Sequence, residues 1–335
     1  MKVIARCPTR VDLAGGTLDL WPLFSFLGGA YTINAAIDVY TQAELTKLNG
    51  SEIIIEIENT KFKKTFKDLK SLLNTKNPKL DFIRPQLTYW NPAFGFHLKT
   101  SSESPVGGGL GGSSSLTISI ISAFSEMMEQ RLSTHEMVRL AHNIEAQILK
   151  TPTGTQDYIP PIEGGVNLID YGFDDFKISK LHVDEKVFNE QFLLVYTGKP
   201  HHSGLNNWQV LKKAVDGDKK TLKCLEGLKK VTSELLSQIE KKDWNFKKVF
   251  QNEYKWRSQI SKSFSSPEIR RLEKLALKNG ALAIKICGAG GGGSVIVWCA
   301  PGQKEKVAKV CQEKGFRVLK AKVVDHGVSI QRKQT

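Results

Sequence analysis

Residues 105–116 read Pro-Val-Gly-Gly-Gly-Leu-Gly-Gly-Ser-Ser-Ser-Leu, and no other stretch of the chain restricts its fold as strongly. The glycines strip side chains from a turn, so backbone N–H groups are free to converge on one small volume. The serines then open an apolar stretch carrying Leu116, Ile118, Ile120, Ile121 and Phe124, which predicts a helix running to about Gln130. A helix that starts directly after a bare glycine turn is an anion site. Its first amides lack internal partners and its dipole favours negative charge. A phosphate cradle is the expectation. The alternative is a flexible glycine linker, but linkers seldom run straight into a periodic apolar helix.

Two common phosphate motifs are excluded by context. A P-loop closes on Lys-Ser or Lys-Thr, an ending this loop lacks. The dinucleotide pattern G-x-G-x-x-G matches at Gly107, Gly109 and Gly112, and again at Gly288, Gly290 and Gly293. After the first match the chain stays helical where a second strand and a terminal acid are needed. After the second comes Ser-Val-Ile-Val-Trp-Cys at 294–299, which reads as a strand.

With 335 residues, 40% apolar and 24% charged, the chain has the make-up of an ordinary globular protein of two domains or one large one. The opening Met-Lys-Val-Ile-Ala-Arg-Cys-Pro has no signal-peptide core and no apolar run is long enough to span a bilayer. A cytoplasmic protein without a membrane partner is expected. Cys7, Cys224, Cys287, Cys299 and Cys311 are scattered and lack metal-ligand spacing, so reduced thiols are expected. Lys plus Arg outnumber Asp plus Glu by 48 to 34. That balance admits nucleic acid, membrane surface or anionic small molecules as partners. The lysines at 212–242, however, interleave with periodic apolar residues, as on solvated helix faces.

Strands are predicted at 3–5, 30–45, 52–58, 94–99 and 164–169, with 62–91 of mixed pattern. A second helix starts at Ser133, where Glu136 completes a capping box, and carries Val138, Ala141, Ile148 and Glu145 on one face. Beyond Asn189 come a strand at 192–196, Lys-rich amphipathic helices, strands at 281–286, 294–299 and 317–324, and a helix at 304–314. This organisation predicts two α+β halves, 1–188 and 189–335, meeting near the phosphate turn.

Four segments combine into a specific constellation: Arg10-Val-Asp-Leu-Ala-Gly-Gly-Thr-Leu-Asp19, the serine-ended glycine turn, Pro152-Thr-Gly-Thr-Gln-Asp157, and Cys287-Gly-Ala-Gly-Gly-Gly-Gly-Ser294. Their order and spacing resemble, over essentially the full length, the GHMP small-molecule kinases, named for galactokinase, homoserine kinase, mevalonate kinase and phosphomevalonate kinase. Within that family, Gly15-Gly16 followed by Asp19, and Asp157 three residues after Gly154, look most like the heptose-7-phosphate kinases and the L-fucokinases. The resemblance implies an α+β, two-domain GHMP kinase fold. A ribosomal-S5-like N-terminal domain and a ferredoxin-like C-terminal domain would hold ATP and substrate in the cleft between them.

By that match, Gly107, Gly108, Gly109, Leu110, Gly111, Gly112, Ser113, Ser114 and Ser115 wrap the ATP phosphates, while Gly290 and Gly291 shape the substrate side. Phosphoryl transfer needs positioning, charge neutralisation and a partner for the attacking hydroxyl's proton. Asp157 stands in the turn where such a carboxylate can be fixed; a turn-stabilising Asp is the plainer reading. Arg10 matches the cation that sugar kinases set beside that Asp, against a plain surface ion pair. Glu145 on an apolar helix stripe is costly to bury unless paired or metal-bound. It suits Mg²⁺ together with a serine of the turn, or an ion pair with Arg or Lys. The family usually has Ser or Thr where this chain has Gly112, so the metal hydroxyl falls within 113–115, with Ser113 first among them. Asp19, with Gly16 and Thr17, matches a reader of sugar hydroxyls. His202 and Ser203 lie, with His201, in a substrate-facing loop that often carries Arg in relatives.

The resulting expectation is a Mg²⁺-dependent, ATP-using kinase of a small polyhydroxylated molecule, monomeric or homodimeric, whose product is a sugar 1-phosphate. Inositols and mevalonate-type acids are alternative acceptors. The rival from another class is a basic RNA-binding protein, since S5-like folds also occur in ribosomes. It requires none of the four polar groups Arg10, Asp19, Glu145 and Asp157.

Overall fold

A single long strand organises the first half of the molecule. The computed structural model describes residues 1–200 and 204–334, so the substrate contacts expected of His202 and Ser203 lie outside the described residues. Strands β1 (Lys2–Ala14) and β2 (Ala30–Lys47) pair antiparallel along nearly their whole length. They are followed by β3 (Ile53–Ile57), β4 (Phe62–Phe66), β5 (Phe96–Ser102), β6 (Val166–Tyr171) and β7 (Phe176–Leu181). On its other edge β2 carries β5 against 41–47 and β6 against 30–35. A register shift between Pro8 and Thr9 bends the β1–β2 ribbon between these two partners.

The second half builds a four-stranded antiparallel sheet from β8 (Phe192–Tyr196), β9 (Ala281–Ile286), β10 (Ser294–Cys299) and β11 (Arg317–Leu319), in the order β11-β8-β10-β9. Successive side chains of a strand face opposite ways, and both faces of this sheet are covered. Leu193, Val195, Val295 and Val297 pack on the helices Pro267–Lys278 and Lys304–Glu313. Phe192, Leu194, Ile296 and Trp298 face the helices Lys219–Glu240 and Lys247–Ile260 and, with them, Val11 and Leu13 of β1. One core therefore joins the two sheets. Finally β12 (Ser329–Lys333) returns to pair with β1.

The helix expected after the glycine turn spans Gly112–Met127 and lies on β1 and β2. Its inner face is partly hydroxyl. Ser115 Oγ donates to the Pro8 carbonyl at 2.9 Å and meets Thr41 Oγ1 at 2.7 Å, and Ser119 Oγ meets the same threonine at 2.9 Å. These bonds satisfy buried polar groups and fix the helix along the strand. The following helix, Thr134–Leu149, has the expected capping box of Ser133 and Glu136.

Three expectations are corrected. β1 does not stop at residue 5 but runs to Ala14, because Arg10 and Asp12, which break the apolar pattern, are buried. Only Arg317–Leu319 of the predicted strand 317–324 forms a ladder; Val323 adds a lone bridge to Ile37. Because β12 joins the first sheet, a division at 188/189 that assigns everything later to the second domain fails for the last strand. Both β7 and β12 went unpredicted: β12 is wholly exposed, and β7 alternates only briefly, its Phe176 and Ile178 packing on the core from a half-buried edge. All five cysteines are buried free thiols, and no helix among the described residues is long and apolar enough to cross a membrane.

Trp298 is fully buried, with ring centroids 4.9 Å from Phe246, 5.2 Å from Phe188 and 5.8 Å from Phe250. Trp298→Ala should cost about 3–5 kcal/mol through lost transfer energy and a residual cavity. Urea unfolding of both proteins measures it; a difference under about 1 kcal/mol would mean this joint core collapses freely around the gap.

Candidate active site

The glycine turn takes its shape from backbone geometry that side chains resist. Gly107, Gly109 and Gly111 have φ of 63°, 72° and 66°, and Gly111 caps the helix. Three successive carbonyls turn into the protein: Gly108 O accepts from Ser294 N–H at 2.7 Å, Gly109 O from Arg10 Nη1 at 2.6 Å, and Leu110 O from Arg10 N–H at 3.0 Å. The helix's own bonding begins only when Ser115 N–H reaches Gly111 O at 2.8 Å, leaving the amides of Gly112, Ser113 and Ser114 ahead of it. Gly107, Gly108, Gly109, Gly111, Gly112, Ser113 and Ser114 line a cleft of about 540 Å³.

Two expected members of the cradle are placed elsewhere. Leu110 is buried in the core shared by the two sheets, and the Ser115 hydroxyl is bonded to Pro8 and Thr41. Gly112 also has a local cause. A Cβ there would lie 2.9 Å from Ser104 Cβ and Oγ, so the serine or threonine usual at that place does not fit.

Arg10 and Asp157 meet as expected. Arg10 Nε donates to Asp157 Oδ1 at 2.8 Å and Nη2 to Oδ2 at 2.5 Å, a bidentate pair. Burial works against the charge on Arg10, but the Asp157 carboxylate outweighs it and holds the guanidinium above its ordinary range. The Arg10 side chain is 4% exposed and that of Asp157 29%, so the carboxylate is the partner that reaches the cleft. Beside it lies Asp19, buried, accepting from Gln156 N–H at 3.2 Å. Burial and the nearby Asp157 push Asp19 up to about 6. Gly154 makes this packing possible, since a Cβ there would sit 1.8 Å from Asp19 Oδ2. Gly16 and Thr17 line the same end of the cleft.

From the second domain, Gly288 and Ala289 reach the cleft, whereas Gly290 and Gly291 do not. A Cβ on Gly290 would strike the Phe264 ring at 2.3 Å, and Gly291 N–H donates to Phe264 O at 2.7 Å, so both glycines shape a packed loop. The sequence reading missed Asp12, Glu253, Arg257 and Lys285, which form one buried charge cluster under the substrate end. Its signals were available: Lys285 interrupts the apolar run of β9, and Glu253 and Arg257 are spaced for pairing on one helix.

Comparison with known proteins follows this geometry. Residues 78–165 match the family described as GHMP kinases N terminal domain, and residues 262–316 match GHMP kinases C terminal. Both GHMP kinase matches thus lie in this chain, the N-terminal one ahead of the C-terminal one. It is 29% identical to the D-glycero-alpha-D-manno-heptose 7-phosphate kinase of Campylobacter jejuni, over 94% of this chain and 95% of that one. It is 24% identical to the mevalonate kinase of Methanocaldococcus jannaschii, over 96% of this chain and 100% of that one. In fold it resembles a D-glycero-D-manno-heptose 1-phosphate kinase from Bacteroides thetaiotaomicron, with a TM-score of 0.79 at 21% identity over 99% and 100% of the two chains. The galactokinase of Lactococcus lactis gives 0.75 at 17% identity over 98% and 95%.

GHMP kinases use ATP as phosphate donor and the family implies Mg²⁺, an ion that the oxygen donors near the turn fit. Glu145 makes no ion pair among the described residues, which removes the alternative of a buried salt bridge. Its Oε2 accepts from Tyr158 Oη and, at 3.2 Å, from Ser114 Oγ. Ser114, rather than Ser113, is thus the hydroxyl joined to Glu145, although both line the cleft. Burial pushes Glu145 up to about 7 against the bond from Tyr158. A carboxylate and hydroxyls with no ion pair among the described residues suit a hard ion that takes one or two protein oxygens and otherwise phosphate and water.

Asp19 sets a pH dependence of stability. Its folded pKa of about 6 exceeds the ordinary 3.8, so between these values the folded protein binds more protons than the unfolded one. Stability should therefore fall as pH rises from about 3.8 to about 6. Asp19→Asn should flatten this part of the curve. Chemical unfolding of both proteins across that range measures it, and parallel curves would show that Asp19 ionises freely.

Proposed function

We propose that this kinase transfers the γ-phosphoryl group of ATP to the anomeric hydroxyl of a small sugar or sugar phosphate, giving a sugar 1-phosphate. The observation that carries this reading is the Arg10–Asp157 pair at the foot of the glycine turn, its guanidinium buried and its carboxylate reaching the cleft, with Asp19 beside it. The likeness to a relative named heptose 7-phosphate kinase across both chains supports the substrate class.

Each group then has a task. The amides of the glycine turn and of the helix start receive the nucleotide phosphates. At the other end of the cleft Ile57, Phe82, Ile83 and Leu116 offer an apolar wall for the base. Asp157 accepts the proton of the attacking hydroxyl at a carboxylate oxygen, while Arg10 fixes that carboxylate and stabilises negative charge on the oxygen. Asp19 accepts a hydrogen bond from a neighbouring hydroxyl of the acceptor. Glu145 and Ser114, with Ser113 next to them, would hold Mg²⁺, which when bound neutralises phosphate charge.

A panel of free sugars, sugar phosphates, inositols and mevalonate, screened for ADP release, tests the reading. Turnover should come with loss of the acceptor's reducing end; turnover confined to mevalonate or to inositols would overturn the assignment. With the acceptor in hand, Asp157→Asn should lower kcat by about 10²–10⁴-fold, the usual weight of a positioned acid or base. Mg-ATP affinity, read by calorimetry, should stay within about twofold, because the carboxylate acts on the acceptor. Retained turnover would remove Asp157 from the chemistry. Glu145→Gln should raise the Mg²⁺ concentration needed to stabilise the ATP complex by about tenfold while moving the Tm of the ligand-free protein little. A large fall in Tm with unchanged Mg²⁺ dependence would make Glu145 a packing residue.

A further inference from the structure

The substrate end of the cleft rests on charges that no step above uses. Asp12 Oδ2 accepts from Lys285 Nζ at 2.7 Å and from Arg257 Nη2 at 2.9 Å. Glu253 Oε1 takes Arg257 Nε at 2.5 Å and Lys285 Nζ at 3.2 Å. None of the four side chains is more than 4% exposed. Asp12 comes from β1, the other three from the second half of the chain, so the cluster crosses the domain junction.

Its members differ in what they have left to offer. Lys285 donates to Asp12 and, at 3.0 Å, to the Ile286 carbonyl, and pairs with Glu253. Arg257 is held loosely on one side: Nη1 gives its two N–H groups to Thr17 Oγ1 at 3.3 Å and to Gly288 O at 3.5 Å, both long bonds. The other oxygen of Asp12, Oδ1, is buried without a partner among the described residues. Both Asp12 and Arg257 line the cleft near Asp19. Gly16 makes room for them, since a Cβ there would sit 2.3 Å from Arg257 Nη2 and from Asp12 Oδ2.

We propose that Asp12 and Arg257 together read one hydroxyl of the acceptor, Asp12 Oδ1 accepting its hydrogen bond and Arg257 Nη1 donating to its oxygen. A hydroxyl both donates and accepts, which matches an unpartnered carboxylate oxygen beside N–H groups held only by long bonds. A carboxylate or phosphate does not match at this point. The two cations are already balanced by two carboxylates, and the free Asp12 oxygen would repel an anion. Burial disfavours the charge on Asp12, but Lys285 and Arg257 outweigh it and keep the carboxylate ionised. The inference rests on the reading of the chain as a kinase of a polyhydroxylated acceptor and adds a specificity-determining pair to it.

The test pairs the isosteric Asp12→Asn and the charge-keeping Arg257→Lys with a deoxy series of the acceptor found in the panel. Each variant should raise the acceptor KM about tenfold to a hundredfold, as for a buried polar group left unpaired, and leave the ATP KM within about twofold. In the wild type, one deoxy position should show the same loss, and in the variants that deletion should cost little more, because both changes remove one interaction. Folded variants with an unchanged acceptor KM would reduce the cluster to a domain latch. So would a loss spread evenly over every deoxy analogue. If neither variant folds, the wild type still decides: indifference to every single deletion overturns the proposal. A wild type that uses no polyol is a separate result, visible without any variant, and removes the kinase reading along with this one.

Discussion

Arg10 is the group on which the geometry of the site depends. One guanidinium grips both oxygens of Asp157 and the carbonyl of Gly109, while its own backbone N–H holds Leu110 O. A buried cation costs several kcal/mol unless its partners are well placed. Here the carboxylate and the carbonyl supply that compensation, and each is thereby fixed. The strand behind Arg10 does not move easily, because it pairs with β2 through Thr9 to Asp12 while β12 braces its start at Lys2 to Arg6. Distance between the glycine turn and the Asp157 carboxylate is thus set by a single side chain. Such fixed spacing is what phosphoryl transfer asks of a protein, since positioning and electrostatics supply most of its catalysis.

The second domain completes this frame rather than merely covering it. Ser294 N–H bonds Gly108 O at the start of β10, so the strand that carries Trp298 also holds the phosphate turn. Val11 and Leu13 of β1 sit in the same core as Trp298, and between them in sequence Asp12 joins the buried charges of Arg257 and Lys285. Alternation along one strand thus sends apolar residues into the shared core and charges toward the cleft. The same few residues build the joint and the site, so the relative placement of the domains and the shape of the substrate end are set together.

Much of this was legible in the sequence where chemistry and pattern agree. The helix after the glycine turn, its capped successor and the strand Ser294–Cys299 follow from apolar spacing and caps. Arg10, Asp19 and Asp157 stood in recognisable segments. Where charges replaced apolar residues in buried strands, the pattern failed, because periodicity cannot tell a charge facing solvent from one facing a counter-charge. The expected β1 ended at residue 5, short of the buried Arg10 and Asp12, and Lys285 drew no attention. The wholly exposed β12 lacked any apolar signal, since its pairing rests on backbone hydrogen bonds to β1. Ser114 was ranked behind Ser113 because one residue of helical rotation decides which hydroxyl meets Glu145, and a run of three serines does not encode it.

Glycine was the most informative residue here and the most easily misread, because it serves two unrelated physical ends. In the phosphate turn Gly107, Gly109 and Gly111 supply backbone conformations that other residues resist. Gly16 and Gly154 instead supply absence: each lies where a Cβ would collide with a carboxylate, Asp12 at 2.3 Å and Asp19 at 1.8 Å. Both carboxylates are buried at the substrate end, where charge must be held close to backbone with water excluded. A side chain there would displace the carboxylates and open the cleft to solvent, weakening each polar contact. The run Cys287-Gly-Ala-Gly-Gly-Gly-Gly-Ser294 looks the same on paper, yet its Gly290 and Gly291 make room for Phe264 and never touch the cleft. What a glycine does is decided by its neighbours in space, and at this site the neighbours that matter most are charges.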